Sequence, residues 1–182
     1  MIGLKYFVYL VLLIQNQKMH FVQFENLLGK PISFAESTLG DKFTKEIFDD
    51  NFYCIEEYSS YSSFFDSKYN CLSIHKDDRE VVNSITVHLL EVLNFKSFNL
   101  MVTQYGAPDH IWVATNTSMI SETINDSNPE FKQRLTKSEH DLREGTFEEK
   151  PLVIIWNKGD FEIKVLFRYE QNQSKITYRS LE

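Results

Sequence analysis

Apolar residues recur with helical spacing in two short stretches, and a glycine and a proline follow each of them. The first stretch covers residues 20–28 and precedes a Gly-Lys-Pro sequence at 29–31. The second covers residues 97–105, with Ser97 as the expected N-cap, and precedes a Gly-Ala-Pro sequence at 106–108. Glycine just past the last apolar residue, with proline shortly after it, is typical of a helix C-terminus. The pattern therefore predicts two helices.

Alternating apolar and polar residues after each helix predict two antiparallel hairpins. Residues 71–75 and 81–90 flank the first polar turn, and residues 152–156 and 161–167 flank the second. Alternation of this kind is typical of strands with one buried face, and residues 175–179 add a last strand. The predicted class is α+β, an antiparallel sheet covered on one face by helices.

The order helix, glycine-proline stop and meander occurs twice, which predicts an imperfect duplication into units 19–93 and 94–182. Coincidence is the alternative, because the element order is common and residue identity between the halves is low. Both interpretations give a single α+β domain over residues 19–182. A chain of 182 residues has room for about one core of ordinary size.

The helix that ends in Tyr105, Gly106, Ala107 and Pro108 and leads into a strand resembles small bacterial envelope domains of the BamE type. The tandem arrangement of two such units resembles the β-lactamase-inhibitor-protein kind of fold. The resemblance covers only the helix, its stop and the following strand of each unit. It implies a structural or assembly role in the cell envelope.

The N-terminus has the outline of a short signal peptide. An apolar run at residues 6–14 follows Lys5 and precedes a polar stretch at residues 15–18. The run is far shorter than the roughly 20 residues that span a bilayer, so no stable membrane span is expected. Because no A-x-A sequence follows, a dispensable extension before Met19 and a buried first helix remain alternatives. A signal peptide would place the protein in the periplasm or outside the cell, and otherwise it is expected in the cytoplasm.

Residues 115–150 contain few large apolar side chains. Asparagine at 128, proline at 129 and an acid at 130 form a helix start signal, which predicts a peripheral helix with a thin apolar stripe. A polar excursion of this length is a functional loop or a mobile one.

The charge of the chain is −7, from 19 basic and 26 acidic residues. A protein that neutralises phosphates needs the opposite sign, so nucleic acid is not an expected partner. The sequence contains no P-loop, dinucleotide-binding, HExxH, EF-hand or GxSxG motif. His75 and His88 could face each other across the first hairpin, with Asp77 or Asp78 nearby, but two solvated strand histidines are the simpler interpretation. We predict no catalytic, cofactor-binding or metal residue and no cofactor.

Two features predict contacts. Cys54 and Cys71 lie in strand-like segments around a serine-rich stretch, so they should form a disulfide if the protein is exported. The stretch around Tyr58, Tyr61 and Phe64 mixes aromatic residues and serine as recognition surfaces do, although alternate core aromatics would give the same composition. Together with two acids of the excursion, Glu139 and Glu144, these aromatics form the predicted partner-binding surface. A basic protein is the partner that an acidic surface favours.

These observations favour a non-catalytic protein-binding module, most concretely a bacterial inhibitor or immunity-type protein. An exported structural or assembly module of the cell envelope is the first alternative. An enzyme or small-ligand binder with an unrecognised site is the second.

A chain that begins at Met19 should be as soluble and as thermally stable as the full chain, because the helical pattern with its own stop begins only at residue 20. Thermal unfolding of the two chains checks this. A melting temperature lower by several degrees would make residues 1–18 part of the fold.

Overall fold

The computed structural model of the protein describes residues 23–46, 49, 51–55, 61–128 and 131–181, with the backbone alone at 117, 119–128 and 131–138. The predicted signal segment at residues 1–18 lies outside this description. The strands within it are β1 (Phe43–Lys45), β2 (Phe52–Ile55), β3 (Ser62–Phe64), β4 (Ser67–Lys76), β5 (Val82–Leu89), β6 (His110–Asn128), β7 (Phe131–Glu144), β8 (Val153–Asn157), β9 (Phe161–Arg168) and β10 (Gln173–Ser180). The helices are α1 (Ile32–Leu39) and α2 (Phe95–Tyr105), with 3-10 helices at Phe24–Leu27, Phe147–Glu149 and Tyr169–Gln171.

The ten described strands form one antiparallel sheet in the order β1-β2-β4-β5-β10-β9-β8-β6-β7, with β3 paired to β4. The two predicted hairpins are β4–β5 and β8–β9, and the predicted last strand lies in β10. The α+β class is confirmed in this broad form, and the sheet dominates over the two helices. The duplication of two units stays a prediction.

One face of the sheet carries the hydrophobic core. Side chains alternate between the two faces of a strand, and every second residue is buried in β5 from Ile85 to Leu89 and in β10 from Ser174 to Tyr178. The Tyr53 hydroxyl of β2 donates to Glu36 Oε1 of α1 at 2.9 Å. Trp156 Nε1 of β8 donates to the Gly106 carbonyl at the end of α2, also at 2.9 Å. Both helices therefore pack on the same face, over a core that includes Phe24, Leu72, Ile85, Met101, Ile163, Trp156 and Tyr178.

The first helix and the N-cap of the second differ from the prediction, whereas the second helix ends at Tyr105 before Gly106 as predicted. A new α-helix begins at Ile32 directly after Pro31, and only the 3-10 helix Phe24–Leu27 lies in the described part of the first predicted helix. Proline at the start of a helix loses no internal hydrogen bond, so Pro31 acts as a start signal rather than a stop. In α2 the N-cap is Asn94, whose side chain accepts a hydrogen bond from the Ser97 amide at 2.9 Å.

The predicted peripheral helix after Asn128 is wrong, because the chain forms the β6–β7 hairpin there instead. Asn128 pairs with Phe131 across the turn, and residues 129–130 lie outside the description. Asparagine before proline is also a turn signal. A helix with a thin apolar stripe has little tertiary contact to stabilise it, whereas strand pairing satisfies the backbone groups of both strands.

A disulfide joins Cys54 and Cys71 across β2 and β4. The two residues are direct cross-strand partners in the register, and their Cα atoms are 4.2 Å apart. The sequence separation is 17 residues, so the bond closes a loop that contains the serine-rich stretch. The bond ties the edge of the sheet, β1 and β2, to its centre.

Replacing both cysteines by serine (Cys54→Ser with Cys71→Ser) should lower the free energy of unfolding by about 3 kcal/mol, because the unfolded chain loses a covalent loop of this size. Urea unfolding of the oxidised wild type and the double variant measures the difference. Reduced wild type is the control, and its urea midpoint should equal that of the double variant. Equal midpoints for all three samples, or two free thiols in protein purified from an oxidising compartment, would contradict the role given to this bond.

Candidate functional site

The sheet face opposite the two helices, here called the open face, is the candidate site. The helix-to-sheet hydrogen bonds from Tyr53 and Trp156 lie on the other face. Alternate side chains of the strands are exposed or partly exposed on this one. The register aligns them in three cross-sheet rows. The rows are Cys71, His88, Lys175, Leu166, Val153 and Trp112; Ser73, Thr86, Thr177, Lys164, Ile155 and His110; and His75, Ser84, Arg179, Glu162 and Asn157.

A shallow groove of about 470 Å³ runs across the open face over β4, β5, β10 and β9. Its floor is polar at the centre, where the hydroxyls of Thr86 and Thr177 are 2.9 Å apart. Arg179 donates to Glu162 Oε1 at 3.1 Å at one end. Glu162 is the one carboxylate among the described residues that line the groove.

His88 lies in this groove in its neutral form. Its Nε2 is in hydrogen-bond contact with Ser73 Oγ at 2.7 Å, and its ring packs edge-on against Phe52 with centroids 5.1 Å apart. Burial lowers the pKa of His88 to about 4, and the charges of Lys175 and Arg168 act in the same direction. A group with this pKa is a weak base at neutral pH, so the Ser73–His88 contact is poorly suited to activate a nucleophile.

Three cations surround Leu166, an apolar side chain of the groove; Lys164 and Lys175 line the groove with it, and Arg168 does not. Lys175 is the direct cross-strand partner of Leu166, and Lys164 and Arg168 flank Leu166 along β9 on the same face. Burial lowers the pKa of the Lys175 ammonium group, and the nearby Arg168 lowers it further. We call Lys164, Arg168 and Lys175 the basic cluster. None of the three side chains has a hydrogen bond or ion pair with another described residue.

The other end of the open face is apolar. Leu166, Val153, Ile155 and Trp112 are partly exposed and adjoin one another across β9, β8 and β6. We call these four residues the apolar patch. The His110 ring stacks on Trp112 with centroids 5.4 Å apart.

The β6–β7 hairpin leaves the sheet beside the apolar patch. Strand β8 pairs with β6 only at residues 110–112, and the described backbone of β6 beyond them pairs with β7 alone. At the base of this ribbon, His110 Nδ1 lies 2.7 Å from the accepting Glu144 Oε1. The hydrogen bond from His110 lowers the pKa of the Glu144 carboxyl.

The predicted partner-binding residues are not brought together. Phe64 is 2% exposed and packs in the core against Phe24, so this part of the prediction is wrong. The alternative of alternate core aromatics accounts for it. Tyr61 is 47% exposed and lies under the Lys68 ammonium group, 4.4 Å from the ring centroid. Tyr58 lies outside the described residues.

The two predicted acids lie at the far side of the sheet from Tyr61. Glu139 is exposed on β7, and Glu144 lies at the base of the same strand. Strand β3 pairs with β4, and β4 and β7 are six strand spacings apart, which corresponds to about 30 Å. One compact contact surface therefore does not include both Tyr61 and Glu144.

His75 and His88 do not face each other. His75 is opposite Ser84, and His88 is opposite Cys71. Asp77 instead closes the β4–β5 turn, since its Oδ1 accepts hydrogen bonds from two backbone amides. Among the described residues no three histidine, cysteine or acidic side chains are grouped as a metal site would require.

No pattern in the sequence singles out the basic cluster. The alternation of apolar and polar residues in 84–89 and 161–167 does indicate which side chains share a face of their strand. Lys164 is one of the polar residues in that alternation. Only the pairing of β10 with both β5 and β9 brings the polar side chains of these three strands together on one face.

The folded state holds His88 neutral, whereas in the unfolded chain His88 takes up a proton at its ordinary pKa of about 6.5. Protonation of His88 therefore favours unfolding. The contribution of His88 to stability is complete above about pH 6.5 and is lost as the pH falls towards 4. When the pH falls from about 7 to about 4.5, the free energy of unfolding of the wild type should decrease by about 1 kcal/mol more than that of His88→Gln. This value is reduced for the partial exposure of the ring.

Urea unfolding at the two pH values measures this difference, and His75→Gln on the same face is the matched control. Equal losses for wild type and His88→Gln, or a His88 ring that titrates near pH 6.5 by NMR, would contradict the neutral assignment.

No helix in the described part of the chain is long and apolar enough to cross a membrane. Comparison of the sequence with family models and curated proteins, and of the fold with solved structures, finds no match.

Proposed function

We propose that the protein is a non-catalytic protein-binding module that holds its partner on the open face, and that its most concrete form is a bacterial inhibitor or immunity-type protein. One observation carries the proposal. The apolar patch, with Trp112 at its end, adjoins the polar groove on strands of one continuous sheet. Partly exposed aromatic and aliphatic side chains next to charged ones are the composition of a contact surface with energetic anchors.

The rigidity of the sheet supports this assignment. Side chains on paired strands keep fixed spacing, so little conformational freedom is lost when a partner docks. The His110–Glu144 and Arg179–Glu162 pairs hold further side chains of the face in place. A shallow, open groove fits a protein surface better than a small ligand, which usually needs a deeper cleft.

Catalysis is the weaker alternative for the same face. The Ser73–His88 contact is the arrangement that most resembles a nucleophile and its base. With the pKa of His88 near 4, the base is largely unable to accept a proton from serine at neutral pH.

We also propose that the protein acts outside the cytoplasm, as an inhibitor there or as an envelope module. The Cys54–Cys71 disulfide supports export, because such bonds persist in oxidising compartments. The imperfect duplication is part of this proposal. Its support is that β5 and β10, the last strands of units 19–93 and 94–182, lie side by side at the centre of the sheet.

Affinity capture with three bait proteins tests the contact surface. The baits are the wild type, Ile155→Glu in the apolar patch, and Leu100→Glu, a control on α2 at a side chain that is 40% exposed. A partner held on the open face should be captured by the wild type and by Leu100→Glu in similar yield. Its affinity for Ile155→Glu should fall at least about tenfold, since a charge then replaces an interface anchor.

Trp112→Ala serves as a second face variant, and melting temperatures of all baits show that they are folded. If Leu100→Glu loses the partner while Ile155→Glu and Trp112→Ala retain it, the contact surface lies on the helix side of the sheet instead. A stoichiometric partner retained by every variant would contradict the proposal.

A further inference from the structure

The basic cluster has no anion among the described residues. The side chains of Lys164, Arg168 and Lys175 make no hydrogen bond or ion pair there, and the carboxylate of the groove, Glu162, is engaged by Arg179. Lys175 is partly buried between the two other cations. Burial and the Arg168 charge both lower its pKa, as expected for a cation with no counter-charge. A carboxylate from outside would relieve this repulsion.

The spacing of the cluster indicates the shape of the ligand. Lys164 and Arg168 are four residues apart on β9, which places their Cα atoms about 13 Å apart, with Leu166 midway between them. An extended segment has the same repeat. Acidic residues four positions apart would reach the two flanking cations, and an apolar residue midway between them would lie on Leu166.

We propose that the basic cluster binds an extended segment of the protein partner that lies along β9. This segment carries two acidic residues four positions apart, with an apolar residue midway between them. The inference rests on the proposed function and names the chemistry of the partner at that surface. It differs from the basic partner expected from net charge. The overall charge of −7 describes the whole chain, whereas this part of the open face is locally positive.

A protein carboxylate is favoured over the phosphates of a nucleic acid. Each polyanion phosphate would be repelled by the net negative chain outside the groove, whereas a short acidic segment needs only the local cations. The apolar Leu166 at the centre of the cluster has an apolar counterpart in such a segment and none in a phosphate backbone.

Fluorescence anisotropy with a synthetic peptide tests the proposal on the full chain. The probe is a labelled heptapeptide with glutamate at its second and sixth positions, valine at the fourth and threonine or glycine elsewhere. The comparison peptide has glutamine in place of both glutamates. The glutamate peptide should bind at about 0.01 M salt and weaken clearly at about 0.15 M, because screening weakens exposed charge pairs.

Lys164→Gln with Arg168→Gln removes the two cations that would face the glutamates and should lower the affinity for this peptide by about tenfold. The matched control, Lys30→Gln with Lys96→Gln, removes the same charge from two exposed lysines, one just before α1 and one in the first turn of α2, and should bind like the wild type. Arg168 is exposed, so the single Arg168→Gln variant provides the test if the double variant does not fold.

Three results would overturn the inference. They are equal binding of the glutamate and glutamine peptides, equal affinity of the cluster and control variants, and tighter binding of a single-stranded oligonucleotide that displaces the peptide. Failure of the proposed function is distinguished by a separate result, a captured partner that Ile155→Glu binds as well as the wild type does. A captured partner that depends on Ile155 but not on Lys164 and Arg168 leaves the open face as contact surface and rejects the acidic segment.

Discussion

The antiparallel pairing of β5 with β10 is the interaction on which the rest of the structure depends. It joins residues 82–89 to the C-terminal strand and makes one sheet from two meanders. On the core side it places Ile85 opposite Tyr178 and Val87 opposite Ile176, all buried. Without this pairing each half would have an unpaired central edge and half of a core, and isolated small sheets are marginally stable.

Covering one side of the sheet determines the chemistry of the other. The helices and the 3-10 helix at Phe24–Leu27 bury the apolar side chains on one face of the strands. The side chains at the alternate positions therefore lie on the open face. Polar side chains there are partly desolvated by their neighbours across three or four strands. That environment lowers the pKa values of His88 and Lys175.

The β6–β7 hairpin gives the open face a boundary. Its base is held by the His110–Glu144 contact, and Gly145 follows it where a Cβ atom would come within 2.8 Å of both Val113 methyl groups. A side chain at that position would push β6 away from its place beside β8.

Sequence alone determined the elements whose signals are local. The alternation in residues 84–89 and 161–167 specified strands and the face of each side chain, because period two is a property of the strand itself. The Asn-Pro-Glu sequence at 128–130 was ambiguous, since the same residues begin a helix or form a turn. Pro31 was ambiguous for a similar reason, because proline both follows helices and starts them.

Tertiary structure alone decided which strands are neighbours and therefore what the site is. Lys164, Arg168 and Lys175 form a cluster only because β9 pairs with β10, and His88 joins them only because β10 also pairs with β5. Phe64 was indistinguishable in sequence from an exposed aromatic, and packing against Phe24 placed it in the core. Long-range pairing is set by the total burial of all strands, a quantity that no local pattern contains.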